Sequence, residues 1–187
     1  MISGSRVPDE SEFREVKSMD VRLINPFVNS VKRVFETMVH VKVSVGKPYV
    51  KPDDGAHSEV SGIIGFSGDA AGCVVISFSK KVAVAAASKF AGMEIGADHP
   101  DFSDAIGELA NMVAGNAKME FTDMNIRISL PSVVIGDSFV VSNSKSSPRI
   151  VIPCKSELGE LLVEVGMELG KKDCGNAATS TKATVGV

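Results

Sequence analysis

Asp101-Phe-Ser-Asp-Ala-Ile-Gly-Glu-Leu-Ala-Asn-Met-Val-Ala-Gly-Asn-Ala-Lys118 reads as a single helix with two unlike sides. At roughly 100° per residue, Asp104, Glu108, Asn111 and Gly115 share a narrow stripe, while Ile106, Leu109, Ala110, Val113 and Ala117 gather opposite them. The apolar side is suited to a core, which leaves the carboxylates and the amide facing outward. Pro100 and Asp101 mark the start, Asp101 as a good N-cap residue, and Asp104 adds negative charge where first-turn amides are exposed. Asn111 has no comparable local reason, because Asn is a poorer helix former than Ala, Glu or Lys and competes for backbone hydrogen bonds.

Toward the N-terminus, Ile24, Phe27, Val28, Val31, Val34, Phe35 and Met38 recur at three- and four-residue steps. They predict a helix from Asp20 to near His40, with Pro26 tolerated close to its start. The period then changes to alternation in Val41-Lys-Val-Ser-Val45, is broken by Gly46-Lys-Pro48 and resumes at Tyr49-Val50. Glu59 to Phe66 and Cys73 to Phe78 flank a turn-like Ser67-Gly-Asp-Ala-Ala-Gly72, predicting an antiparallel hairpin whose first-strand glycines weaken it or mark bulges. Ser79 is placed to cap an Ala-rich helix from Lys80 to Ala91 that Gly92 ends. Beyond the 101–118 helix come Ile126 to Leu130, Ser132 to Gly136, Phe139 to Val141, and a closing pair of strands, Arg149 to Cys154 and Glu160 to Val165. This order predicts an α+β domain, helices packed on one face of a largely antiparallel β-sheet.

The chain has 187 residues, enough for one domain with a sizeable core. Residues 20–168 are expected to form that domain, and the polar stretches 1–19 and 169–187 to be disordered tails, with Met19 a possible natural start. A net charge of -3 offers no basic footprint for nucleic acid. No apolar run approaches the ~18 residues that span a bilayer, and no signal-peptide core is present, so a cytoplasmic protein is expected. Cys73, Cys154 and Cys174 are widely spaced and match neither a disulfide framework nor a zinc site; reduced thiols are expected, two of them buried in strands.

Autonomous catalytic machinery is sparse. His40, His57 and His99 have no carboxylate or Cys at metal-ligand spacing, and there is no GxSxG elbow, GxxxxGK[ST] loop or strand-to-helix GxGxxG. Glu108 and Asn111 remain. An Asn is no general base, but its carboxamide both accepts and donates hydrogen bonds, which suits it to holding a water in line with phosphorus. Taken alone, an acidic and amide pair three residues apart is more simply read as a solvated helix face, and does not by itself establish a function.

The run from Asp104 to Ala117 resembles the signature helix of the CheC/CheX/FliY chemotaxis phosphatases, in which Asp or Ser, Glu and Asn follow an Asp-x-x-x-Glu-x-x-Asn pattern. Asn25-Pro-Phe27, the hairpin from Gly62 to Phe78, the Ala-rich helix, Pro131 to Gly136 and the closing hairpin extend the likeness over roughly residues 20 to 168. A single motif copy favours the CheX-like branch, since Glu36-Thr-Met-Val39 in the first helix puts Val where a second Asn would stand.

The resemblance implies hydrolysis of the aspartyl phosphate of a CheY-like response-regulator receiver domain. In that reading Asn111 inserts to position the attacking water, Glu108 pairs with a receiver lysine, and Asp104 and Gly115 support the docking face. It also implies a homodimer, and Mg2+ carried by the receiver rather than by this chain. The alternative is a non-catalytic CheX-like module that docks on a receiver or on a flagellar switch component.

Overall fold

A computed structural model describes residues 21–51, 58–139 and 149–169. The expectations for the two tails, for Met19 and Asp20, for Val140 and Val141, and for His57 and Cys174 lie outside them. In order come α1 (Val21–Val34), β1 (Ser44–Val45), β2 (Tyr49–Val50), β3 (Ser58–Gly68), β4 (Ala70–Phe78), α2 (Lys80–Ala91), α3 (Phe102–Met119), β5 (Ile126–Ile128), β6 (Ser132–Phe139), β7 (Ile150–Ser156) and β8 (Gly159–Leu169).

All strand pairings are antiparallel and form one sheet in the order β1-β7-β8-β4-β3-β5, with β2 also on β7 and β6 also on β3. The three helices pack on one face. There Val60, Ile64 and Phe66 of β3, Val74, Ile76 and Phe78 of β4, and Leu161, Val163 and Val165 of β8 meet Phe27, Val31 and Phe35 from the first helix and Ile106, Leu109 and Val113 from α3 in a continuous core. The α+β expectation holds.

Several boundaries differ from those read in the sequence. After Val34 the first helix widens into a π-turn, Phe35–Val39, and closes on His40 in the left-handed conformation, φ 57°. Val41 and Val43 are buried in alternation as expected, yet only Ser44 and Val45 pair with β7. The hairpin turn is much tighter than Ser67 to Gly72: β3 runs to Gly68, β4 begins at Ala70, and only Asp69 intervenes. Positive φ at Gly68 (108°) and Gly72 (148°) lets the backbones close up, and Asp69 is anchored as its Oδ2 accepts from the Asn125 amide at 2.8 Å.

Gly62 and Gly65 mark no bulge in the β3–β4 ladder, which runs unbroken from Val60 to Phe66. Gly62 is instead a seat for α3. A β-carbon there would lie 2.7 Å from Ala110 Cβ and 3.3 Å from the Ile106 carbonyl oxygen. Ser79 caps α2 by accepting from the Val82 amide, and Gly92 ends it in the left-handed conformation, both as expected.

The opposite face of the sheet holds a charged cluster that sequence reading missed. Glu164, 2% exposed, accepts from Lys51 Nζ at 2.8 and 2.9 Å and from Arg149 Nη1 at 2.9 Å. Cys154 is a buried thiol in β7, which burial pushes up to about 12, whereas Cys73 in β4 is only half-buried and accepts from Arg149 Nη2 at 3.9 Å. Among the described residues, no helix is long and apolar enough to cross a membrane.

Candidate active site

Helix α3 is fixed from three sides before any of its exposed residues comes into play. Its apolar stripe lies on β3 at the Gly62 seat; its middle is tied to α1 by Ser30 Oγ, which donates to the buried Val113 carbonyl at 2.7 Å; its end is tied by Asn29 Nδ2, which donates to Glu120 at 3.1 Å. Ile106, Leu109, Ala110, Val113 and Ala117 are all buried, as the helical period predicts.

The opposite stripe is presented outward. Asp104 and Glu108 are exposed, and Asn111 and Gly115 are half-buried. Asn111 Nδ2 donates to Glu108 Oε2 at 3.3 Å, a bond near the long limit that holds the two side chains together only loosely. That bond uses the amide nitrogen and does not engage the Asn111 side-chain oxygen. Gly115 has open space around it: an added β-carbon would meet nothing within 4 Å.

Asp101 stands at the N-cap position of α3, its carbonyl accepting from the Ala105 amide at 3.0 Å, but its side chain makes no capping bond. This corrects the expectation. The reason is local: φ and ψ of -85° and 0° depart from the extended geometry a side-chain cap uses, and the Asp101 amide donates to His99 Nδ1 at 3.2 Å.

Beside Asp104 and Glu108 lies an open groove of about 480 Å³, lined by Ser103, Asp104, Gly107, Glu108, Pro131 and Val133. Gly107 allows it, since a β-carbon there would stand 3.4 Å from both Pro131 and Val133. Sequence reading placed neither Pro131 nor Val133 at the site. Its only available signal was Gly107, an apolar-side glycine one residue before Glu108. The first helix holds no second copy: Val39, where an Asn would be needed, is fully buried in the π-turn.

Among the described residues, no three His, Cys, Asp or Glu side chains are grouped to hold a metal ion. The exposed face of α3 thus offers one amide and two carboxylates on a rigid support. It can orient a water and pair with a cation supplied from outside.

Comparison with known proteins places this arrangement. The family described as chemotaxis phosphatase CheX matches residues 60–155, which include all of α3 and the groove. A protein of Thermotoga maritima named CheY-P phosphatase CheX is 34% identical over 122 residues, 63% of this chain and 78% of that protein. The crystal structure of a chemotaxis protein CheX from Desulfovibrio desulfuricans superposes with a TM-score of 0.72 at 33% identity, covering 79% of this chain and 99% of that one. A CheX–CheY–BeF3–Mg2+ complex from Borrelia burgdorferi shares the fold, with a TM-score of 0.67 at 24% identity over 81% of this chain and 99% of that one. With the family match spanning α3 and the sheet beneath it, the chain belongs to the CheX family of chemotaxis phosphatases.

Proposed function

We propose that this chain is a phosphatase that hydrolyses the aspartyl phosphate of a CheY-like receiver domain, acting in trans through Asn111 and Glu108. The observation that carries the proposal is the pairing of these two side chains on the exposed face of α3, Asn111 Nδ2 to Glu108 Oε2 at 3.3 Å. With its amide nitrogen engaged there, Asn111 has its carbonyl oxygen available to accept a hydrogen bond from water. A water so held attacks phosphorus in line; the bond from phosphorus to the aspartyl oxygen breaks, and inorganic phosphate and a free carboxylate result.

Glu108 is exposed and carries the charge that pairs with a receiver lysine, fixing the register of the two proteins. Asp104 extends the negative surface one turn back from Glu108, and the bare backbone at Gly115 lets the receiver approach one turn beyond Asn111. Mg2+ belongs to the receiver in this reading, where it offsets phosphoryl charge. A homodimer is the accompanying assembly. Among the described residues β6 pairs only with β3, so its outer side is an open sheet edge, which supports pairing of two chains.

The test is decay of phosphoryl-aspartate on CheY-like receivers. Wild-type protein accelerates decay; Asn111→Ala loses roughly 100-fold or more in kcat, the scale of a lost positioning group, with binding retained. Glu108→Ala chiefly raises KM and is partly rescued at high protein concentration. A wild type that binds a receiver without hastening decay overturns the enzyme reading in favour of a docking module.

A further inference from the structure

The groove beside Glu108 has a second wall that the chemistry above does not use. Strands β5 and β6 lie along β3 as two pieces of one edge, interrupted at residues 129–131. The interruption is locked in place. The Ser129 amide donates to the Gly65 carbonyl at 2.9 Å, Ser129 Oγ accepts from the Gly65 amide at 2.9 Å, and the same hydroxyl donates to the Leu130 carbonyl at 2.7 Å. Pro131 then fixes its own φ and sits against Gly107 in the groove wall. Leu130 is consequently 87% exposed on a backbone that is already ordered, one residue from the groove.

A single exposed Leu needs no explanation by itself. Its rigid mounting does, because an apolar side chain on a fixed backbone gives up little conformational freedom when a partner covers it. The groove also has a sign: Asp104 and Glu108 form one wall, and among the described residues no basic side chain lines it.

We propose that Leu130 is the apolar anchor by which this chain grips the receiver domain and selects among receivers. The groove takes a receiver segment that brings a cation to Asp104 and Glu108 and an apolar side chain to Leu130. Continuity identifies the occupant, since Glu108 and Pro131 line the same groove, so a receiver engaged by Glu108 reaches the Leu130 knuckle as well. The inference rests on the phosphatase reading above.

The experiment measures Kd for CheY-like receiver domains held in the activated form with beryllofluoride and Mg2+, alongside kcat and KM for their phosphorylated forms. Leu130→Ser raises Kd and KM about 10- to 100-fold, the range for exposing a buried Leu, with kcat unchanged. Leu130→Met returns both close to wild type. Receivers bound tightly by the wild type converge in affinity in Leu130→Ser.

Wild-type Kd and KM in Leu130→Ser overturn the anchor while leaving the phosphatase reading intact. If Leu130→Ser instead halves the mass in solution and leaves Kd unchanged, Leu130 belongs to a contact between copies and the proposal falls. A wild type that binds no receiver removes both readings together.

Discussion

At Gly115, a β-carbon would meet no atom within 4 Å, so nothing inside the fold requires glycine in the fourth turn of α3. Glycine within a helix costs roughly 0.5–1 kcal/mol relative to Ala. Gly115→Ala is therefore expected to stabilise the free protein by up to about that amount, read as a rise in urea midpoint, while weakening receiver binding and turnover. Unchanged or tighter receiver binding would show that the gap serves no docking purpose, and a loss of stability would show that the fold itself requires the glycine. Asn111 has the same character: it is half-buried and makes one long bond to Glu108. Asn111→Ala should leave the unfolding free energy within about 0.5 kcal/mol of wild type, so that a loss of activity cannot be ascribed to misfolding. Both residues were legible in the sequence, because helical spacing alone puts them beside Glu108.

At the scale of the element, α3 is positioned by contacts its own sequence does not contain. Gly62, 48 residues earlier than Ala110 by position, lets the helix settle until Ala110 Cβ is 2.7 Å from where a Gly62 β-carbon would be. Gly62→Ala must push α3 off β3 or distort the strand, at an expected cost of roughly 1–3 kcal/mol for overpacking. The shift reaches Asn111 from beneath, so kcat should fall although Gly62 touches no partner; an unchanged kcat would mean that the helix recovers its place on docking. The ends of α2 were readable because Ser79 and Gly92 satisfy them locally. The start of α3 at Asp101 was readable as well, but not that its carboxylate makes no capping bond, because the backbone at Asp101 leaves the extended geometry that such a bond needs. The hairpin turn was misjudged for a related reason. Six small or polar residues between two apolar runs resemble a loop, yet Ala70 to Gly72 pair with residues 167–169 near the other end of the chain and become strand.

For the molecule as a whole, the buried charged cluster and the proposed site sit on opposite faces of the sheet. The helices and the proposed site occupy one face. On the other, Glu164 in β8 joins Lys51, 113 residues earlier, and Arg149, 15 residues earlier, pinning the chain just after β2 and just before β7. Glu164→Gln withdraws the negative charge that both cations share. Breaking a buried pair of this kind costs about 3–5 kcal/mol, to be measured by urea denaturation. At temperatures where the variant stays folded, its phosphatase rate is expected to match wild type. A large fall in rate with little loss of stability would instead tie this cluster to the reaction.

By itself the sequence determined what short-range spacing can determine: three helices, the strand periods, a single motif copy, and an exposed stripe holding Asp104, Glu108 and Asn111. Side-chain direction along a helix or strand repeats every few residues, so such patterns survive without knowledge of the fold. Tertiary structure alone decided how deeply α3 sits on Gly62, where β5 breaks to leave Leu130 exposed and Pro131 against Gly107, and how Glu164 collects Lys51 and Arg149. Each depends on residues brought together across strands, and no local period encodes which strand will lie beside which. The exposed polar stripe was written in one helix; the groove next to it required the whole sheet.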